Sequence, residues 1–236
     1  MNVPVAILAG GLATRLRPVT REIPKSLIEI AGKPFIIHQI ELLRRNGIGH
    51  ILLCLGYLGD MVQAALGDGR VLDVHIDYVF DGPTLLGTGG ALKKALPLLG
   101  EVFFALYGDS YLDVDYETVR NAFEGSGKLG LMTVYHNAGR WDRSNVLFSN
   151  GQIIRYNKRQ PAPEMQHIDY GLGVLRKEAF AEFPDGENLD LAQVYQALSA
   201  RNQLAGYEVT QRFYEIGSPE GLEETRRYLS RRDLRL

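Results

Sequence analysis

The sequence predicts a three-layer α/β fold, a Rossmann-like arrangement with a mostly parallel central sheet and helices on both faces. Three observations carry this. Short apolar runs alternate with amphipathic stretches from residue 3 to about residue 135. A length of 236 residues with 45% hydrophobic content suits one large core. No linker, repeat or low-complexity segment divides the chain, so 1–236 reads as a single domain.

In order, residues 3–9 form a first strand ending in Gly10-Gly11. Residues 35–46 form a helix, opened by Pro34, closed by Gly47 and striped by Ile36, Ile40 and Leu43. The apolar run 51–55 is a buried strand, followed by a short helix at 60–66 and an alternating strand at 74–80. A helix over 89–96 is stopped by Pro97. Residues 102–107 are a strand, 115–124 a helix and 129–135 a strand. Beyond residue 140, strands at 145–148 and 152–156 flank Asn150-Gly151, a strong hairpin signal. A strand at 168–175 and helices at 189–200 and 218–229 complete the reading.

Composition narrows the function. A formal net charge of -2 gives no electrostatic case for nucleic acid or an anionic membrane. The single cysteine, Cys54, lies in an apolar strand. That excludes a disulfide scaffold or a cysteine-cluster metal site and suggests a reducing cytoplasm. No apolar stretch is long enough to span a bilayer, and no signal peptide opens the chain, so a cytoplasmic location is expected.

The chemistry concentrates in residues 8–25, Leu-Ala-Gly-Gly-Leu-Ala-Thr-Arg-Leu-Arg-Pro-Val-Thr-Arg-Glu-Ile-Pro-Lys. Glycines at a strand end let backbone N–H groups approach a ligand. Arg15 offers a planar fork for phosphate and Lys25 a point charge. This loop carries neither Gly-x-Gly-x-x-Gly, since positions 12 to 15 hold no glycine, nor a Gly-Lys-Ser/Thr ending. Tyr107-Gly108-Asp109-Ser110 ends an apolar strand, at the edge where open α/β sheets bind ligands. By itself Asp109 reads equally as a metal ligand or a turn cap. Glu215 precedes Ser218-Pro219, a helix start with Ser as N-cap and Pro in the first turn. Asp113-x-Asp115 is best read as a short alternating stretch with a helix cap. Arg226, Arg227, Arg231, Arg232 and Arg235 read as a solvated helix end.

The loop at 8–25, the Leu86-Gly-Thr-Gly-Gly-Ala-Leu92 segment, the Gly108-Asp109 pair and Glu215-Ile-Gly-Ser-Pro219 stand in the order found in sugar-1-phosphate nucleotidyltransferases, which this chain resembles over nearly its whole length. The resemblance implies a nucleotidyltransferase fold similar to that of GT-A glycosyltransferases. It implies a nucleoside triphosphate and a sugar 1-phosphate as partners and leaves room for a homodimer. Residues 1–135 would be the nucleotide half, and 136–236 the sugar-phosphate half with the C-terminal helix. Leu8, Ala9, Gly10, Gly11, Thr14, Arg15, Asp81, Gly87 and Thr88 would bind nucleotide. Lys25, Lys158, Asp169 and Gly171 would bind the sugar phosphate. Mg²⁺ would sit on Asp109 and Glu215, with Arg15, Lys25 and Asp109 catalytic.

Among such enzymes the chain looks most like heptose-1-phosphate guanylyltransferases, with N-acetylmuramate-1-phosphate uridylyltransferases and other hexose-1-phosphate uridylyl or thymidylyltransferases as alternatives. Three departures stand out. Asp81-Gly-Pro-Thr-Leu85 lacks the glutamate expected before Leu-Gly-Thr-Gly. Tyr156-Asn-Lys-Arg159 replaces Phe-x-Glu-Lys, and Asp169-Tyr-Gly171 replaces Asn-x-Gly. A glycosyltransferase using Asp113-x-Asp115, or a non-catalytic nucleotide-sugar-binding regulator, are the readings from other classes.

Overall fold

The computed structural model describes residues 3–137, 139–141 and 143–233. In chain order, β1 (Val5–Ala9) is followed by a ribbon of β2 (Glu29–Ile30) and β3 (Lys33–Pro34). Next come α1 (Phe35–Arg45), β4 (His50–Leu55), α2 (Gly59–Leu66), β5 (His75–Phe80) and α3 (Gly87–Leu99). β6 (Val102–Tyr107) leads into the two-residue β7 (Ser110–Tyr111), α4 (Tyr116–Ser126) and β8 (Gly130–His136). The later chain forms β9 (Val146–Ser149), β10 (Gln152–Tyr156), β11 (His167–Arg176), α5 (Leu191–Ala200), β12 (Leu204–Val209), β13 (Tyr214–Glu215) and α6 (Pro219–Asp233).

The main sheet has the order β5-β4-β1-β6-β11-β8-β12-β10-β9. It is parallel from β5 to β6 and again at β8/β12. β11 is antiparallel to both β6 and β8, and the β9–β10 hairpin adds an antiparallel margin. That hairpin turns on Asn150 and Gly151, both with positive φ (49° and 75°), as its Asn-Gly predicts. One face of the sheet packs Ile36, Ile40 and Leu43 of α1, Val62 of α2 and Phe123 of α4 against Ile7, Leu53 and Phe104. The other packs Leu92 and Ala95 of α3 and Val194 and Leu198 of α5 against Ala6, Leu52 and Met132. A third, smaller cluster of Ile30, Phe35, Tyr111, Ile216 and Leu229 seats α6.

The helix ends follow their caps. Asp115 caps α4, accepting from Glu117 N (3.0 Å) and Thr118 N (3.1 Å). Asp190 and Gln193 form a reciprocal capping box on α5. Ser218 Oγ accepts from Gly221 N at 3.0 Å, so the expected cap of α6 is present.

Three expectations change. α3 runs through Pro97 to Leu99, because in the final turn the missing N–H forfeits only one helical bond before Gly100 (φ 69°) ends the helix. β12 is a strand that the sequence did not announce. Gly206 breaks its apolar pattern, yet a Cβ there would stand 2.6 Å from the Phe148 ring, so the position requires glycine. Arg232 is pinned to Asp113 rather than solvated, which also gives Asp113 a structural partner. Arg235 lies outside the described residues. No helix among the described residues is long and apolar enough to cross a membrane.

Candidate active site

The site lies at the carboxyl edge of the parallel strands, where β1 and β6 end side by side. Gly108 N donates to Leu8 O at 3.0 Å, and a Cβ on Gly108 would stand 2.7 Å from that oxygen. Gly10 meets Gly56 as closely, since a Cβ on Gly56 would lie 2.6 Å from Gly10 O. Gly11 has open space beside it. The loop beyond is anchored from inside by Thr20, whose buried hydroxyl donates to Ala13 O at 2.8 Å.

Two cavities open on this edge. The first, of about 300 Å³, is lined by Leu8, Ala9, Gly10, Gly11, Lys25, Asp81, Gly87, Thr88, Asp109 and Lys158, together with apolar Leu12, Leu85 and Ala91. The second, of about 470 Å³, is lined by Arg15, Asp109, Asp169, Gly171 and Glu215, with Trp141, Tyr170 and Arg212 among its other walls. Tyr107 and Asp109 line both. Thr14 lines neither; its turn, Thr14–Leu16, aims Arg15 instead.

At the junction, Lys25 Nζ lies 2.7 Å from Asp109 Oδ2. Glu215 arrives from far along the chain because β13 pairs with β7, setting Glu215 opposite Ser110, and Ile216 N donates to Asp109 O at 2.9 Å. Gly217 marks the convergence. A Cβ placed on it would stand 2.6 Å from Glu215 Oε2, 3.2 Å from Asp109 Oδ2 and 3.3 Å from an Arg15 guanidinium nitrogen. Two carboxylates with hard oxygen donors, gathered about one small space, suit Mg²⁺. The Glu215 carboxylate also accepts from Gly217 N and, at 2.7 Å, from Ser218 Oγ, so it helps hold the start of α6. Gln39, buried in α1, supports the Asp109 turn by donating to Tyr107 O (3.2 Å) and Ser110 O (2.8 Å).

Asp81 is buried in the first cavity, where Oδ2 accepts from Leu86 N at 3.2 Å. Burial raises its carboxyl above the usual range, with the Leu86 bond and nearby Lys94 opposing. Thr88 links α3 to α5, donating to Asp190 Oδ1 (3.2 Å) and accepting from Leu191 N (2.8 Å). Gly89 and Gly90 give their N–H groups to Leu189 O, so much of this glycine segment serves helix packing. Asp169, half-buried in the second cavity, accepts from Gly171 N (3.0 Å) and Tyr156 Oη (3.4 Å). Desolvation pushes its carboxyl up to about 6, against the favourable Gly171 bond and the charge of Lys158. Burial also pushes the Cys54 thiol up to about 12, so this cavity-wall cysteine offers no thiolate near neutral pH.

Sequence reasoning missed Arg212 and Trp141. The Arg212 guanidinium stacks 3.5 Å above the Trp141 ring and pairs with Glu224. The available signal was Arg212-Phe-Tyr-Glu215, a cation and two aromatics leading into an acid already singled out.

A family model described as nucleotidyl transferase matches residues 5–140. The chain is 28% identical over 220 residues to mannose-1-phosphate guanylyltransferase catalytic subunit beta of Xenopus tropicalis, covering 91% of this chain but only 61% of that relative. It is 30% identical over 224 residues to N-acetylmuramate alpha-1-phosphate uridylyltransferase of Neisseria meningitidis serogroup B, covering 92% of this chain and 94% of the relative. In fold it matches HddC from Yersinia pseudotuberculosis, solved with GMP-PN, at a TM-score of 0.78 and 24% identity over 96% of this chain and 99% of that one.

Proposed function

The chain belongs to the nucleotidyl transferase family, and from that premise we propose that it transfers a nucleotidyl group from a nucleoside triphosphate to a sugar 1-phosphate, releasing pyrophosphate. The observation that carries this is the place of Asp109 in the wall shared by both cavities, 2.7 Å from Lys25. The first cavity would take the nucleotide and the second the sugar, with Lys158 of the later half reaching into the first and Arg15 of the early loop into the second, so that both phosphates meet at Asp109.

A sugar 1-phosphate is largely dianionic near pH 7, as its second pKa lies near ~6, so it attacks the α-phosphorus without a general base. The chain's task is to hold two anions in line and offset their charge. Lys25 holds the α-phosphate and the incoming phosphate together. Arg15 grips the leaving phosphates. Backbone groups of Gly10 and Gly11 position the nucleotide, and Lys158, Asp169 and Gly171 orient the sugar phosphate. Mg²⁺, held by Asp109 and Glu215, would neutralise phosphate oxygens when bound.

Guanine is the proposed base and a heptose 1-phosphate the proposed acceptor, with Asp81 accepting from guanine N–H donors. The uridylyl reading stays alongside, because Leu86 N already engages Asp81 Oδ2 and because the Neisseria meningitidis uridylyltransferase matches over almost its full length. The test is a matrix of GTP, UTP, dTTP, CTP and ATP against sugar 1-phosphates, read by pyrophosphate release. Release that requires both substrates is expected. No release with any pair, or release without the sugar phosphate, would overturn the proposal.

A further inference from the structure

At the opposite edge of the sheet from the phosphate loop, three side chains gather that the proposed reaction does not use. His50 opens β4 and His75 opens β5, the edge strand, and the two residues are direct register partners. Asp77 follows two residues after His75, so all three side chains share the sheet face that also carries Leu52 and Cys54. Asp77 Oδ2 lies 2.8 Å from His50 Nε2 and 3.3 Å from His75 Nε2, and the ring centroids are 5.3 Å apart. One ligand atom from each residue falls within a sphere of mutual distances no greater than 4.8 Å.

We propose that His50, His75 and Asp77 form a binding site for a borderline divalent transition-metal ion of the Zn²⁺ type. Two imidazole nitrogens and one carboxylate oxygen are a common donor set for such ions, and they leave a coordination position open. Two donors each ~2.1 Å from one ion stand about 3.4 Å apart at the tetrahedral angle. The two His–Asp separations already lie close to that figure, so small side-chain rotations admit an ion where the Asp77 oxygen now bridges both rings. Side-chain exposures of 38%, 63% and 34% for His50, His75 and Asp77 give an ion a route from solvent. The donors differ in kind from the all-oxygen pair of Asp109 and Glu215, which suits harder ions, whereas two imidazoles favour a borderline one. The backbone supports the arrangement, since His75 N donates to Gly49 O at 2.8 Å and locks the start of β5 against the residue before His50. A bound ion therefore clamps the edge strand to its neighbour.

The experiment titrates chelator-stripped full-length chain with Zn²⁺ by calorimetry near pH 7.5, and repeats it with Co²⁺ by visible absorption. The wild type and the Asp109→Asn variant should each bind one equivalent with an imidazole-type Co²⁺ spectrum. His75→Ala and Asp77→Asn should each weaken binding at least tenfold and lose that spectrum, while melting at the wild-type temperature without metal. Zn²⁺ should raise the melting temperature of the wild type and leave both variants unmoved. Absence of saturable uptake by the wild type at a tenfold molar excess, or uptake by His75→Ala equal to wild type, would overturn the proposal.

Discussion

Lys25 Nζ sits 2.7 Å from Asp109 Oδ2, although 84 residues separate them in the chain. The contact joins the far end of the glycine-led loop after β1 to the end of β6. With 22% and 28% of the two side chains exposed, the pair is sheltered enough to hold its geometry and open enough to meet a ligand. On the proposed function, a phosphate entering this junction would find a cation already aimed, with the electrostatic work of alignment done in folding.

Replacing Lys25 with Ala should lower pyrophosphate release about a hundredfold or more, on the scale of a lost transition-state donor. A partly exposed ion pair contributes little to folding, so stability should fall by no more than about 1 kcal/mol. Turnover assays beside urea unfolding check both, and near-normal turnover in Lys25→Ala would remove Lys25 from the reaction.

Arg15→Ala should also reduce turnover by about two orders of magnitude. Arg15→Lys should recover only part of this, because an ammonium lacks the planar fork. Since Arg15 is an exposed residue of a short turn, both variants should melt with the wild type. An Arg15→Lys variant with full activity would show that charge alone suffices.

The two acids should separate in their side effects. Asp109→Asn should abolish Mg²⁺-dependent pyrophosphate release and leave circular dichroism and melting unchanged. Glu215→Ala should lose activity and in addition about 1 kcal/mol of stability, as its carboxylate also holds Gly217 N and Ser218 Oγ at the start of α6. Equal melting of both variants would remove the capping role from Glu215.

Asp169 makes a statement about pH. Its folded carboxyl titrates at about 6 against an ordinary 3.8, so the native state holds the proton more tightly than the unfolded chain. The stabilisation that protonation gives is complete below the ordinary value and is lost as pH rises through about 6. Asp169→Asn never bears the buried charge. It should exceed the wild type in stability above pH 6, on the order of 1 kcal/mol, and converge with it below about pH 4. Denaturant unfolding at pH 4, 5 and 8 reads the difference, and a constant gap across that range would contradict it.

Asp81→Ala separates two readings of the base. If it accepts from guanine, Asp81→Ala should reduce the preference for GTP over ATP more than it reduces the maximal rate. If its service is to Leu86 N alone, base preference should stay fixed while stability falls by about 1 kcal/mol. Competition kinetics with all five nucleotides reads the outcome, and a clear UTP or dTTP preference in the wild type would end the guanylyl reading.

Local signals were the legible ones. Asn150-Gly151 located the hairpin, Asp115 the start of α4, and the apolar run 102–107 coincides with β6. Gly10-Gly11, Lys25 and Asp109 stand out only jointly, as motifs in the order of the family the chain resembles; taken alone, the glycines read as a turn and Asp109 equally as a turn cap. What escaped depends on distant partners. The two-residue pairing of β7 with β13, which carries Glu215 to Asp109, is too short to leave a periodic trace. Trp141 meets Arg212 across 71 residues of sequence (212 − 141) from a segment with no regular pattern. The reach of α3 past Pro97 reflects packing of Leu99 in the core, a tertiary gain that local propensity does not contain.

The insertion of β11 between β6 and β8 bears on how the chain comes off the ribosome. Until residue 176 has emerged, β6 exposes an open ladder of N–H and C=O groups and β8 has no neighbour on either side, since β12 follows later still. A nascent chain ending near residue 140 therefore carries an apolar, unzipped sheet edge, a template for pairing with other chains. Such a truncated piece should aggregate or await a chaperone, and cooperative closure should come only when β11 arrives as the keystone.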